Sequence, residues 1–227
     1  MAKTLLLALA GPALFLVYIL LAILGLLATG HTPEAVAQLA PGYAPHVLLA
    51  VLATLAIWLS RLKPQWHTGV STSLAHDAAI GAAAGLALAA AYILLFHKVH
   101  VWLQANWGDY VPPGSTTDAL GGAAVIFFVA NVLLAPWVEE SLYRGILFER
   151  LCHRWATGGA ALVSCIAFGA LHWAGGFWYM VLTGAVAGGA FMALRLWRGN
   201  LLAPFSAHLA LNLVEFAWLS GWLPLTA

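Results

Sequence analysis

The sequence is short of charge. Only 7% of its 227 residues are Asp, Glu, Lys or Arg, where an ordinary globular domain has about 25%. Nine basic against eight acidic residues leave a net charge of +1. No basic field exists to hold a nucleic acid, so no nucleic-acid partner is expected. Cysteine is nearly absent as well. Cys152 and Cys165 both lie in or beside apolar runs, which supports neither a disulfide framework nor a cysteine-rich metal site. Several catalytic signatures are missing too. There is no HExxH zincin helix and no GxSxG, and Ser141 and Ser164 have no triad context. With no strands predicted, there is no Gly-rich phosphate loop following one.

What is present is apolar side chain. The chain is 63% hydrophobic with 11 tryptophans and a mean hydropathy of +0.92. A soluble domain of this size could not cover that much apolar surface. Runs of about 20 apolar residues match a hydrocarbon core of roughly 30 Å. The expected fold is therefore all-α: a polytopic transmembrane helical bundle of about seven helices, one integral-membrane domain over 1–227, with the lipid bilayer as partner. Spans are expected at about 5–29, 46–61, 78–97, 119–147, 157–174, 176–196 and 201–222. The first run exceeds a signal-peptide core of roughly 7–15 residues and reads as a retained helix.

Loop punctuation and charge support this division. Pro33, Pro41, Gly42 and Pro45 mark the first loop, and Lys63, Pro64 and Gln65 the second. Asn106, Gly108, Asp109, Pro112, Pro113 and Gly114 mark the third. With the N-terminus inside, Lys3 and the pairs Arg61/Lys63, Arg150/Arg154 and Arg195/Arg198 all fall on one side, and only Lys98 falls opposite. The positive-inside rule then predicts a cytoplasmic N-terminus and an outer C-terminus; a bacterial plasma membrane is the expected location. GAAAG at 81–85 and GAVAG at 184–188 have the small-xxx-small spacing of close helix contacts, within one bundle or between copies. Trp66, Trp102, Trp107, Trp197 and Trp222 read as interfacial anchors. The sequence does not fix an oligomeric state.

Ionisable groups inside spans cost about 2.5–3.5 kcal/mol each, so each one is a candidate functional residue. Away from span ends these are Glu139, Glu140, Arg144, His172, His208 and Glu215, with Asn212 as a further polar group. They come from three helices and can converge in a bundle interior. Glu140 and Arg144 are four apart and share a face, where they can pair. Glu139 is rotated by about 100° and lacks that partner, which leaves it freer to act as a base. The cluster alone also reads as one ion pair with a spare glutamate. His208 and Asn212, again four apart, are two aligned donors of the kind an oxyanion requires. Taken singly, His172 also reads as a packing residue and the His208–Asn212 pair as interhelical polar glue. Together the groups read as a glutamate–histidine site. WGDY at 107–110 lies in a polar loop, which argues against an intramembrane aspartate pair. Glu215 reads as a cavity-lining or snorkelling residue with a structural role.

EESLYR (139–144), FGALH (168–172) and HLALN (208–212) resemble the EExxxR, FxxxH and HxxxN motifs of the CPBP family. These are the type II CAAX prenyl endopeptidases and bacteriocin-processing intramembrane proteases. The resemblance covers about 120–215, including the approach GNLLAPFSAH (199–208), and marks 119–222 as the catalytic core. It implies hydrolysis of a peptide bond in a membrane-associated protein or peptide. Glu139 would be the general base, and His172 would bind the water and pass protons. His208 and Asn212 would form the oxyanion hole, with Glu140 and Arg144 holding the architecture. No cofactor is favoured. Zinc on Glu139, His172 and His208 is the metal alternative.

The non-proteolytic readings are a scaffold or immunity protein of the same fold and a proton-coupled transporter. The motifs are intact, against the first, and no internal repeat is found, against the second. One geometric demand follows. At 1.5 Å per residue, Glu139 and His208 lie roughly 12–18 Å from the cytoplasmic ends of their helices, and His172 lies about 22 Å from its own. They meet only if the fifth helix tilts or begins outside the hydrocarbon.

Overall fold

A computed structural model describes residues 2–64, 66, 73–109 and 120–223. Among the described residues there is no strand. Seven long helices follow in order: α1 (Ala2–Ala28), α2 (Pro33–Leu62), α3 (Leu74–Trp107), α4 (120–152), α5 (Thr157–Leu171), α6 (Phe177–Arg198) and α7 (Leu202–Leu219). A 3₁₀ turn at Trp173–Gly175 links α5 to α6. The chain is a polytopic helical bundle, and among the described residues six helices are long and apolar enough to cross a membrane. The 15-residue α5 is the exception. It spans about 22 Å, short of the roughly 30 Å hydrocarbon core. The seven expected spans are therefore six, plus one shorter apolar helix.

Two boundaries moved for physical reasons. Pro41, Gly42 and Pro45, expected in a loop, lie inside α2. That helix starts at a strong signal: Thr32 Oγ1 accepts from the Ala35 N–H at 3.3 Å, and Pro33 follows in the first turn, where no donor is needed. Next to lipid, an open loop would strand more backbone groups than two prolines remove. Likewise α3 runs through Lys98 and Asn106 to Trp107, because neither Gly nor Pro intervenes before Gly108. Gln65, Tyr110, Pro112, Pro113 and Gly114 lie outside the described residues.

All seven helices contribute to one core, among them Leu7, Leu55, Ala89, Leu142, Phe168, Phe191 and Ala207. The small-residue motifs set how close the helices come, and they are used inside the bundle. Gly81 and Gly85 seat α3 on the α7 backbone, where an added Cβ would collide with the Ala203 and Ala207 carbonyls. A Cβ on Gly169 of α5 would lie 2.9 Å from Cα of Gly184 on α6. Gly85→Val is expected to remove most folded protein, read as the monodisperse fraction in detergent chromatography. Gly189→Ala, whose Cβ would meet nothing within 4 Å, should leave that fraction unchanged.

Polar contacts tie the two ends of the bundle. At the end bearing the basic loops, Arg198 Nε donates to Asp77 Oδ1 at 2.6 Å, and Asn200 Nδ2 donates to Asp77 Oδ2 at 2.7 Å. Asn200 Oδ1 also accepts from the N–H groups of Leu202 and Ala203, capping α7. GNLLAPFSAH thus fixes the α6–α7 turn to the start of α3. At the far end, Asp109 Oδ1 accepts from the Phe177 N–H at 2.8 Å, a carboxylate at the positive end of α6. The carboxylate takes the space a Cβ on Gly176 would need, and Gly176 has φ +98°. The aspartate of WGDY is thus seated against the first turn of α6.

Helix stagger answers the depth demand. Ser164 Oγ of α5 donates to the Tyr143 carbonyl of α4 at 2.8 Å, and Gly145 of α4 faces Leu201 at the start of α7. The α4–α5 hairpin therefore projects past the α6–α7 turn at the basic end. His172, Glu139 and His208 are thereby brought to one level.

Candidate active site

α4 changes winding twice where it carries the site. Phe128–Leu134 and Glu140–Leu147 are π-helical, a feature frequent at functional sites. The first change leaves a carbonyl without its donor. The Ala135 N–H bonds the Ala130 carbonyl, five residues back. The next residue, Pro136, has no N–H to give the Asn131 carbonyl. Asn212 of α7 supplies the missing donor, with Nδ2 at 2.7 Å from that oxygen. This ties the HLALN motif to α4 by backbone chemistry.

Glu140 and Arg144 pair within α4, Arg144 Nη1 donating to Glu140 Oε1 at 3.1 Å. Both are fully buried, so the ions must satisfy each other. Two further helices join them. Arg144 Nη2 donates to the Gly188 carbonyl of α6 at 3.0 Å, and His208 Nδ1 donates to Glu140 Oε1 at 3.0 Å. The aromatic residues complete the enclosure. The guanidinium lies 4.1 Å above the Phe168 ring, and the His208 ring stacks on Phe191 at 4.7 Å. Phe168 of FGALH therefore does more than share a face with His172.

Glu139 is arranged differently. It is buried, and its Oε2 has no hydrogen-bond partner. The nearest ionisable contact is His172 Nε2, at 4.0 Å. That ring is oriented by its other nitrogen, which donates from Nδ1 to the Phe168 carbonyl at 2.9 Å. His172 sits at the end of α5, where the helix gives way to the 3₁₀ turn. The two glutamates thus differ as their rotation around α4 requires. Glu140 Oε1 is held by Arg144 and His208 while its Oε2 has no partner, whereas the unpartnered Oε2 of Glu139 faces His172.

A cavity of about 60 Å³ lies beside these residues, walled by Phe168, His172, Phe191, His208, Asn212 and Glu215 among others. Glu139 does not line it directly and meets it through His172. Several contributors escaped the sequence reading. Phe191, Tyr179 and the Asn131 carbonyl carry no polar side-chain signal that separates them from ordinary span residues. Only Pro136, five residues after Asn131, offered a legible hint. Ser141 and Ser164 stay outside the chemistry: Ser164 donates to a carbonyl, and Ser141 Oγ is buried without a partner.

Among the described residues, no three of His, Cys, Asp and Glu converge at distances that would hold a metal ion. His208 Nδ1 is held on Glu140, and no third donor joins Glu139 Oε2 and His172 Nε2, which are 4.0 Å apart. The donor geometry does not fit zinc on Glu139, His172 and His208.

Fold and site define a polytopic helical membrane protein with a carboxylate–imidazole centre enclosed by its spans. Residues 121–214 match the family described as type II CAAX prenyl endopeptidase Rce1-like, a match that supports membership of the CPBP membrane proteases. All three motifs fall inside the matched segment. The family is one of CAAX-type intramembrane endopeptidases, which sets a membrane-associated substrate and a lipid environment. No curated protein and no solved structure matches the chain.

Proposed function

We propose that this chain is an intramembrane endopeptidase that hydrolyses a peptide bond of a membrane-associated protein or peptide, with Glu139 as general base. The observation that carries the reading is the unpartnered, buried Oε2 of Glu139 facing His172 Nε2 at 4.0 Å. That gap is too long for a direct hydrogen bond, and a substrate water about 2.8 Å from each atom spans it. Because His172 Nδ1 carries the proton donated to Phe168, Nε2 offers a lone pair. The water then directs one hydrogen to each group and a lone pair to the scissile carbonyl.

Attack forms the C–O bond as Glu139 takes the proton, leaving a tetrahedral oxyanion. Glu139 returns that proton to the departing nitrogen as the C–N bond breaks. His208 and Asn212 hold the oxyanion. Asn212 retains one amide hydrogen after serving Asn131. His208, with Nδ1 committed to Glu140, donates from Nε2 as imidazolium; Arg144 already balances Glu140, so this charge is balanced by the Glu139 carboxylate and, after attack, by the oxyanion. The basic end of the bundle faces the cytoplasm in this reading, and the membrane is a bacterial plasma membrane.

Comparison of membrane proteomes from cells carrying the wild-type chain or Glu139→Gln tests the activity. A new chain end found only with the wild type is the expected result, and identical termini in both would sink the proposal. The metal question has its own outcome. Purified active protein, after prolonged chelation, should keep its rate and hold no stoichiometric zinc. Zinc that tracks activity would overturn the glutamate-base mechanism.

A further inference from the structure

Glu215 is a half-buried carboxylate that the mechanism above does not use. It lies seven residues beyond His208 and three beyond Asn212 on α7, so at about 100° per residue all three share a face. Glu215 lines the same cavity, about 10 Å further toward the far end of the bundle. Its surroundings there are aromatic: Tyr92, Phe96 and His100 of α3 and Tyr179 of α6 line the same stretch. Tyr179 connects this stretch to the reaction centre, with its ring 6.0 Å from that of His172. Among the described residues, no Lys, Arg or His lies within ion-pair distance of Glu215.

A carboxylate among aromatic side chains, with no Lys, Arg or His at ion-pair distance among the described residues, is the chemistry that selects an alkylammonium group. The carboxylate supplies charge, and the aromatic rings supply cation–π attraction to a cation that reaches them. It equally disfavours a second carboxylate. An extended peptide advances about 3.3 Å per residue, so 10 Å corresponds to roughly three residues. We infer that Glu215, with Tyr92 and Tyr179, forms a subsite for a lysine side chain or free amino group about three residues from the scissile bond. A substrate with a free C-terminal carboxylate at that distance is disfavoured. The inference deepens the endopeptidase reading and rests on it.

The test uses the full-length protein in lipid nanodiscs and apolar nine-residue peptides, each bearing one lysine or, at the same position, norleucine. The lysine is walked along the peptide. Binding is measured on Glu139→Gln, so that it does not depend on cleavage, and kcat/KM is measured on the wild-type chain. At one lysine position, binding should exceed that of the norleucine peptide by about 10-fold or more. Adding Glu215→Gln should erase the preference while binding of the norleucine peptide stays within about two-fold. Glu215→Lys should reverse it, favouring a glutamate peptide.

Equal binding of lysine and norleucine peptides at every position would overturn the subsite, whatever the protein cleaves. So would a Glu215→Gln variant that loses both peptides together while its thermal unfolding matches the parent. If Glu215→Gln does not fold, Tyr179→Leu serves in its place, and an unchanged lysine preference there counts against the subsite. Discrimination in binding without any cleavage by the wild type would uphold the subsite and remove the endopeptidase reading instead.

Discussion

Glu139→Gln is expected to lower kcat/KM by about 10³-fold or more, near the upper range for removal of a general base. The amide has nearly the same shape but no basic oxygen, so the activated water loses its general base and keeps only the His172 lone pair. Stability should hardly change. The wild-type Oε2 has no hydrogen-bond partner, and the substitution exchanges one unpartnered polar group for another. Cleavage of a reporter in nanodiscs, with thermal unfolding measured in parallel, separates the two effects. Glu139→Asp adds a distance test: withdrawing the carboxylate by about one bond length should cost roughly 10²-fold. Full activity in Glu139→Gln would remove this residue from the chemistry.

Arg144→Met should have the largest effect on folding, destabilising the protein by about 3–5 kcal/mol. The guanidinium holds Glu140, the Gly188 carbonyl and the Phe168 ring, so its loss affects α4, α5 and α6 together. Glu140 would then be a buried carboxylate supported by His208 alone. Arg144→Lys should not restore the site, because one ammonium cannot reproduce the two-direction reach of the fork. The double variant Glu140→Gln/Arg144→Met removes both charges and should recover much of the stability. It should remain inactive, because His208 loses the carboxylate that orients it. Unfolding midpoints and cleavage rates of all three variants check this, and a wild-type midpoint for Arg144→Met would refute the brace.

The pairing of Glu140 with Arg144 was legible because both sit on one helix, where spacing fixes the angle between side chains. The same rule separated Glu139 from its neighbour. Partners on other helices were not legible. Nothing in HLALN says that His208 turns Nδ1 to Glu140, or that Asn212 spends a hydrogen on the Asn131 carbonyl. The second contact arises from π winding meeting a proline, and winding is not written in apolar periodicity. Helix ends misled where composition and chemistry disagree. Polar letters after His97 suggested a loop, although the helix met no breaker before Gly108. Pro41 and Pro45 suggested a loop although the surrounding chain favours helix.

By itself the sequence determined the solvent and the cast. Too little charge for its apolar mass made this a membrane helical bundle, and three motifs put a few costly polar residues on late helices. Only the tertiary structure decided how those helices stand against each other. Stagger and rotation depend on where glycines such as Gly85 and Gly184 let backbones touch, and these contacts join residues far apart in sequence. That stagger brings His172 to Glu139, commits His208 to Glu140 and turns Glu215 into the cavity. The reason is physical: spacing along one helix is set by local geometry, whereas distance between helices is set by side-chain volume at their crossings.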